Sequence, residues 1–413
     1  MSLLSVAEAQ NRMIAKGQLM ATEMLPLEFC AGRVVAKNTS AKITQPPFDA
    51  SAMDGYAVLF SDCSSLSSSH NSSTSVTLKL IGESSAGHPF QGKLSSGEAV
   101  RIFTGAVVPS GADAIAIQED CERVDQQSVV VKEVAQPGKF IRPAGYDFND
   151  GDELVSKGTE LGYRHLALLA SMNVASVEVY KKPRVAIIAT GDELILPGEN
   201  LSPGQIISST PFGMKQLFDQ AGAEAHCLGI AKDNLPSLKN IISVAKAPEN
   251  KFDIIVTIGG ASVGDHDLVQ EAMKLAGMEL DFWRIAMRPG KPLMVGTLNK
   301  QSIVGVPGNP VSAMICAEMF VVSLIRSMLG HSSPIKPTRQ AILQNEVSSN
   351  GPRKHYMRSF CWVDETGQQR VECRENQDSS LQATFAFSNC LIVREPHSEG
   401  ANQGEFVDIY PLD

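Results

Sequence analysis

Apolar positions recur with two periods along the chain, and the switches between them divide it into four textures. The opening stretch MSLLSVAEAQNRMIAKGQLM has helical spacing with charges inside it and predicts an amphipathic helix. Extended chain follows around Arg33-Val34-Val35. Between 44 and 144 the pattern is of short strands and turns, as in VTLKLIGE (76–83), EAVRIFTGAVV (98–108) and ADAIAIQE (112–119). Within it the Ser-rich run SDCSSLSSSHNSSTS (61–75) has too little apolar surface to bury and predicts a flexible loop. YRHLALLASMNV, inside 145–177, predicts a helix.

From 178 to 329 strands and helices alternate. RVAIIAT (184–190), AEAHCLGIA (223–231), FDIIVTIGG (252–260) and SIVGVPG (302–308) read as strands. PFGMKQLFDQAG (211–222), LPSLKNIISVAK (235–246) and DLVQEAMKLAG (267–277) read as the intervening helices. PVSAMICAEMFVVSLIRSML (310–329) reads as one long helix, with Pro310 at its first position and Asn309 as its cap. Such alternation predicts a mainly parallel sheet with helices on both faces. Ligands of such sheets sit beyond the carboxyl ends of the strands. From 330 to 413 the strand pattern returns in TRQAILQNEV, YMRSFCWV, QRVECRE, NCLIVREP and EFVDIYPL, which predicts a small β-barrel or sandwich.

The 413 residues carry 43% hydrophobic and 20% charged residues, ordinary for a globular chain, with a formal net charge of −9. Interspersed charge of that sign argues against generic nucleic-acid binding and against an anionic membrane surface. An anionic substrate would need a local basic site. The apolar runs are expected to fall short of a membrane span, and the N-terminus lacks the basic start and apolar core of a secretory signal. The eight Cys are scattered without C-x-x-C pairs, against zinc or a disulfide framework. The expectation is a cytoplasmic protein with reduced thiols.

Candidate chemistry clusters at the predicted strand ends. Gly259-Gly260, with Ser262 and Gly264, forms a turn rich in N–H groups before a helix whose positive end suits phosphate. An ordinary strand-end turn fits the same residues, with Asp265 as cap and Asp267 in the first turn. Arg288 and Lys291-Pro292 hold two cations in a Pro/Gly turn, suited to an oxyanion or to simple solvation. Thr190-Gly191-Asp192-Glu193 puts carboxylates past a buried strand, either for Mg²⁺ or as a capping turn. Pro307-Gly308-Asn309-Pro310 rigidifies the next turn, with Ser312 at the start of the helix. Acids and anions coexist when a divalent cation lies between them. The residues alone therefore point to Mg²⁺-assisted chemistry on a phosphorylated anion.

Six motifs, in order PPFDASAMDGYAV (46–58), RIFTGAVVP (101–109), ATGDEL (189–194), IGGASVGDHD (258–267), MRPGKP (287–292) and GVPGNPVSA (305–313), resemble the molybdopterin molybdotransferase family, MoeA. Gephyrin's E-domain and its plant counterpart belong to that family. The resemblance spans essentially the whole chain. It implies a multidomain α/β-plus-β fold with four parts. These are a discontinuous α/β domain (1–43 and 145–177), a β-rich domain with the S-A-M-D-G motif (44–144), a mainly parallel three-layer α/β domain (178–329) and a C-terminal β-barrel (330–413). It further implies a homodimer with a cleft shared between subunits. The implied reaction couples molybdate to adenylylated molybdopterin with Mg²⁺ and releases AMP. Transient contact with the adenylyltransferase and with molybdoenzyme chaperones would accompany it. The alternative within the family is a non-catalytic dimeric scaffold of the gephyrin type.

Carried over by motif, Asp267 and Ser262 fall at the hydrolysis site. Glu193, Asp54 and Thr104 fall in the active cleft, with Glu193 and Asp267 as metal ligands. Arg288, Lys291 and Ser312 fall at the anion site. Arg358 and Ser379 or Ser380 are implied as further anion contacts from the last domain. Three departures stand out. Arg288 replaces the family's usual Lys. Gly145-Tyr146-Asp147 replaces its G-E-D, keeping only Asp147 as acid. The Ser-rich segment is longer than typical.

Overall fold

The structure is a computed structural model that describes residues 3–67, 75–260 and 268–412. Its central sheet has six strands in the order Glu224–Ala231, Arg184–Thr190, Ile254–Ile258, Gln301–Val306, Met294–Leu298 and Glu279–Trp283. The first four run parallel, Met294–Leu298 runs against them, and Glu279–Trp283, antiparallel to Met294–Leu298, runs with them again. Arg184–Thr190 and Ile254–Ile258 are buried along almost their whole length, as strands covered on both faces must be. One face packs on Met214, Phe218 and the helix Pro310–Met328, the other on Leu238, Ile242, Val269 and Met273.

That helix corrects two sequence expectations. Its 19 residues are apolar enough by composition to cross a membrane, but 83% of its most apolar window is buried inside the fold. It also opens into a π-helical turn over Ala317–Val321. There Glu318, only 4% exposed, receives a hydrogen bond from Lys336 Nζ at 2.7 Å and one from the Tyr410 hydroxyl at 3.1 Å. A buried carboxylate so paired ties the helix to the connecting segment and to the last strand.

The N-terminal helix forms at Val6–Lys16, capped by Ser5, whose Oγ accepts from the Glu8 N–H at 3.2 Å. Its apolar stripe of Val6, Ala9 and Met13 joins the α/β core, and the Gln10 amide donates to the Met319 carbonyl at 2.9 Å. A separate core combines Cys30, Val35 and Ala41 with Phe148, Leu169 and Val179, so segments on either side of the β-rich region pack together. The β-rich region has its own six-stranded sheet, in which Gly55–Val58 lies between Ala114–Ile117 and Glu98–Ile102.

The Ser-rich run is not a loop throughout. Phe60–Ser67 is helical, because the Asp113 carboxylate accepts the Phe60 N–H at 2.6 Å and Cys63 is fully buried. The rest of it, 68–74, lies outside the described residues.

At the C-terminus, Arg339–Leu343, Lys354–Val363, Gln369–Cys373, Cys390–Arg394 and Phe406–Pro411 close into a five-stranded barrel. It closes because Lys354–Val363 pairs with both Gln369–Cys373 and Cys390–Arg394. The barrel is joined in register to the α/β unit, where Arg288 lies opposite His355.

Candidate functional site

Four parallel strands end side by side, and the turns that follow them frame a cavity of about 890 Å³. Its wall includes Glu193, Asp233, Gly259, Gly260, Pro292, Pro307, Asn309 and Ser380. The turns fit because side chains are missing where they touch. A Cβ at Gly259 would fall 2.8 Å from Thr190 Oγ1 at a backbone φ of +94°, so only glycine closes that turn. A Cβ at Gly191 would meet the Glu193 carboxylate at 2.6 Å, so glycine leaves room for the acid in T-G-D-E.

Asp233, which the sequence reading missed, completes the acidic side. It follows the edge strand Glu224–Ala231, and its N–H donates to Asp192 Oδ1 at 3.2 Å. Burial raises its carboxyl above the ordinary carboxylate value, and the charges of Asp192 and Glu193 raise it further. The only sequence signal was Lys-Asp-Asn between strand and helix, with Asn234 capping the helix Leu235–Lys246.

The opposite wall starts the helix Pro310–Cys316. Asn309 occupies the cap position but does not cap with its side chain. Its Nδ2 donates to Ser379 Oγ at 3.0 Å, and the Val311 N–H donates to the Ser379 carbonyl at 3.2 Å. Ser380, not Ser379, lines the cavity, with its hydroxyl donating to Asp378 Oδ1 at 2.6 Å.

Arg358 differs from the anion contact implied by the resemblance. It is 2% exposed and absent from the cavity wall. Its guanidinium donates to the carbonyls of Asp378 at 2.6 Å and Asn376 at 3.2 Å, and to Gln377 Oε1 at 3.3 Å. Its visible work is to hold the loop that presents Ser380.

Arg288 and Lys291 do not line the cavity either, but the same loop reaches it through Pro292. Arg288 is exposed, and neither cation has an ion-pair partner among the described residues. Gly290 seats the loop against Cys316, whose Sγ would lie 2.5 Å from an added Cβ. Ser312, in the first helical turn, is buried at 5% exposed and absent from the cavity wall.

Asp54 and Thr104 belong to a second locus, in the β-rich sheet. Asp54 Oδ1 accepts the Thr104 N–H at 2.7 Å and its hydroxyl at 2.8 Å. Those two bonds, the backbone one first, hold the Asp54 carboxyl below its ordinary value. The glycine of A-M-D-G is required by packing, since a Cβ at Gly55 would fall 2.0 Å from the Ala116 carbonyl oxygen. Asp147 is exposed, its N–H donating to the Gln45 carbonyl at 3.0 Å. None of these three lines the cavity. Ser262, Gly264, Asp265 and Asp267 lie outside the described residues.

Fold and site together define a multidomain protein with an acid-walled cavity at the strand ends of an α/β unit. Residues 4–173 match the family model described as MoeA N-terminal region (domain I and II). Residues 186–327 match the model described as probable molybdopterin binding domain, and 340–412 the MoeA C-terminal region (domain IV). The chain belongs to the MoeA family. It is 35% identical over 412 residues to the molybdopterin molybdenumtransferase of Haemophilus influenzae, covering 99% of both chains. The protein of the same name from Nostoc is 36% identical over 342 residues, covering 81% of this chain and 76% of the relative. A crystal structure titled as the molybdopterin biosynthesis MoeA protein of Pyrococcus horikoshii superposes over 100% of both chains, with a TM-score of 0.82 and 30% identity.

Proposed function

We propose that this chain is a molybdopterin molybdotransferase, which inserts molybdate into adenylylated molybdopterin with release of AMP. One observation carries the proposal. The carboxylates of Glu193 and Asp233 share one cavity with the Gly259-Gly260 turn and with Pro292 of the loop that bears Arg288 and Lys291, neither ion-paired among the described residues. Full-length likeness to relatives named for this activity supports it.

The acidic wall fits Mg²⁺. Its oxygens are hard donors, and the Asp233 carboxyl, raised first by burial and then by the charges of Asp192 and Glu193, is one whose ionised form a cation would favour. Among the described residues no three His, Cys, Asp or Glu side chains are grouped to hold a metal ion, so Mg²⁺ here would need waters and substrate oxygens to complete its shell. Glu193 and Asp233 would hold it, with Asp267 as a further candidate. When bound, the ion would neutralise charge on the pyrophosphate.

The chain's own groups do the rest. N–H groups of the glycine turn receive phosphoryl oxygens, and the glycines let the backbone come close. Arg288 and Lys291 offer charge-assisted donors to molybdate or to the pterin phosphate. Asp54, held ionised by Thr104, lies outside this cavity, and in the homodimer that the family resemblance implies a partner copy would bring that locus to the cleft. Purified protein given adenylylated molybdopterin, Mg²⁺ and molybdate should release AMP and yield active cofactor. Absence of AMP, where a known family member produces it, overturns the proposal.

A further inference from the structure

Arg101 opens the RIFTGAVVP segment that also carries Thr104. It lies in the strand Glu98–Ile102, opposite Tyr56 of the strand Gly55–Val58. Its guanidinium carbon sits 5.0 Å from the centroid of the Tyr56 ring and 4.8 Å from that of Phe103, within cation–π range of both. The head group is half-buried, and no carboxylate pairs with it among the described residues. From there Nη1 donates to the Gly55 carbonyl at 3.1 Å and Nη2 to Gln118 Oε1 at 2.9 Å. Gln118 in turn donates its N–H to the Asp54 carbonyl at 2.9 Å. One guanidinium therefore holds two successive carbonyls of the A-M-D-G turn, that of Gly55 directly and that of Asp54 through Gln118.

We propose that Arg101 is a positioning residue for the reaction, bracing this turn so that the Asp54 carboxylate is presented in one geometry. The proposal rests on the molybdotransferase reading, with Asp54 serving in the cleft, and adds the residue that sets its direction. The Asp54 side chain is held through one oxygen. Oδ1 accepts the Thr104 N–H at 2.7 Å and its hydroxyl at 2.8 Å, while Oδ2 has no hydrogen-bond partner among the described residues. A carboxylate so held keeps one oxygen for the reacting molecule, and its direction depends on how firmly its backbone is fixed. Arg101 belongs to the segment that carries Thr104 and grips the segment that carries Asp54, so the two cannot shift apart independently. A lysine would bring a point charge, whereas the planar fork holds two acceptors at a fixed angle. After the two Thr104 bonds, the Arg101 charge also favours the ionised Asp54 carboxyl. Sheet stability alone would use the same contacts, but it would not couple Arg101 to Asp54 in the rate.

The test is a double-mutant cycle on the full-length protein. It is read by kcat and KM for AMP release from adenylylated molybdopterin with Mg²⁺ and molybdate, at a temperature where melting curves show every variant folded. Asp54→Asn should slow kcat about a hundredfold, the scale of a positioned acid or base. Arg101→Met should slow it about tenfold, the scale of a misplaced reacting group, with KM unchanged. Because Arg101 acts through Asp54, adding Arg101→Met to Asp54→Asn should slow kcat no further. Arg101→Lys keeps the charge without the fork and should fall between Arg101→Met and wild type. Gln118→Ala removes one arm at an exposed position and should do the same; if Arg101→Met does not fold, the cycle is run with it. Wild-type kcat in these variants, a full further loss on top of Asp54→Asn, or an effect confined to KM or to the melting temperature overturns the proposal. The two readings fail separately. Wild-type protein that releases no AMP sinks the activity, whereas normal release with Asp54→Asn as fast as wild type sinks the positioning role alone.

Discussion

Asp233 donates its backbone N–H to the side chain of Asp192, and this contact joins the turns after two neighbouring parallel strands. It also sets the Asp233 carboxylate beside that of Glu193 on one wall of the cavity. The raised Asp233 carboxyl means that ionisation there works against folding as pH rises through its titration. Asp233→Asn removes that charge. It should leave the thermal midpoint unchanged or slightly higher at pH 7.5, while product formation falls at least tenfold. Melting curves and turnover measured on the same preparation check both.

The Asp54–Thr104 pair makes a prediction at the second locus. Thr104→Ala removes the hydroxyl bond and keeps the backbone one. The Asp54 carboxyl should therefore titrate higher than in wild type but still below an ordinary aspartate, because the larger cause remains. Carbon-detected titration of Asp54 measures this directly. A carboxyl that does not move would show that the hydroxyl is not bonded to it in solution.

Much of the main cavity was legible in the sequence, because each turn follows a continuous apolar strand and glycines mark where backbones meet. What escaped depends on distance along the chain. Asp233 reaches the site only because its strand lies beside Arg184–Thr190, an order no local pattern encodes. Gln382 meets Ser209 across 173 residues. Asn309 looked like a cap because its own segment offers that use, yet Ser379 from the barrel competes for its amide. Arg358 was implied as an anion contact by the family resemblance alone, and in the structure its guanidinium donates to the carbonyls of Asp378 and Asn376. Phe60–Ser67 looked unstructured by composition, but a buried Cys63 and the Asp113 carboxylate fix it.

Two histidines give stability a pH window. Burial, then Arg288, Arg353 and Arg358, pushes His355 down to about 4. Burial, then Arg326, does the same to His331, also to about 4. Unfolded imidazoles titrate near 6.5, so between about pH 6.5 and 4 the unfolded chain takes up protons that the folded chain refuses. Stability should be level above pH 7 and fall through that window. His355→Gln should flatten part of the slope in urea denaturation followed at half-unit steps.

The buried Glu318 should behave as an ion whose partners matter more than the pair itself. Lys336→Met leaves the carboxylate with Tyr410 alone and should cost about 3 kcal/mol. Adding Glu318→Gln to that variant should restore part of the loss. Chemical denaturation of the two variants and wild type decides it, and a double variant less stable than Lys336→Met contradicts the account.

The most direct test of the central claim is a single-turnover measurement of AMP and active cofactor formed from adenylylated molybdopterin. It would compare wild type with Asp233→Asn and Glu193→Gln, with and without molybdate. The account predicts AMP and cofactor in equal amounts from wild type, both dependent on molybdate, and both strongly slowed when either carboxylate is removed. Wild-type rates in both variants, or cofactor formed without AMP, would contradict it.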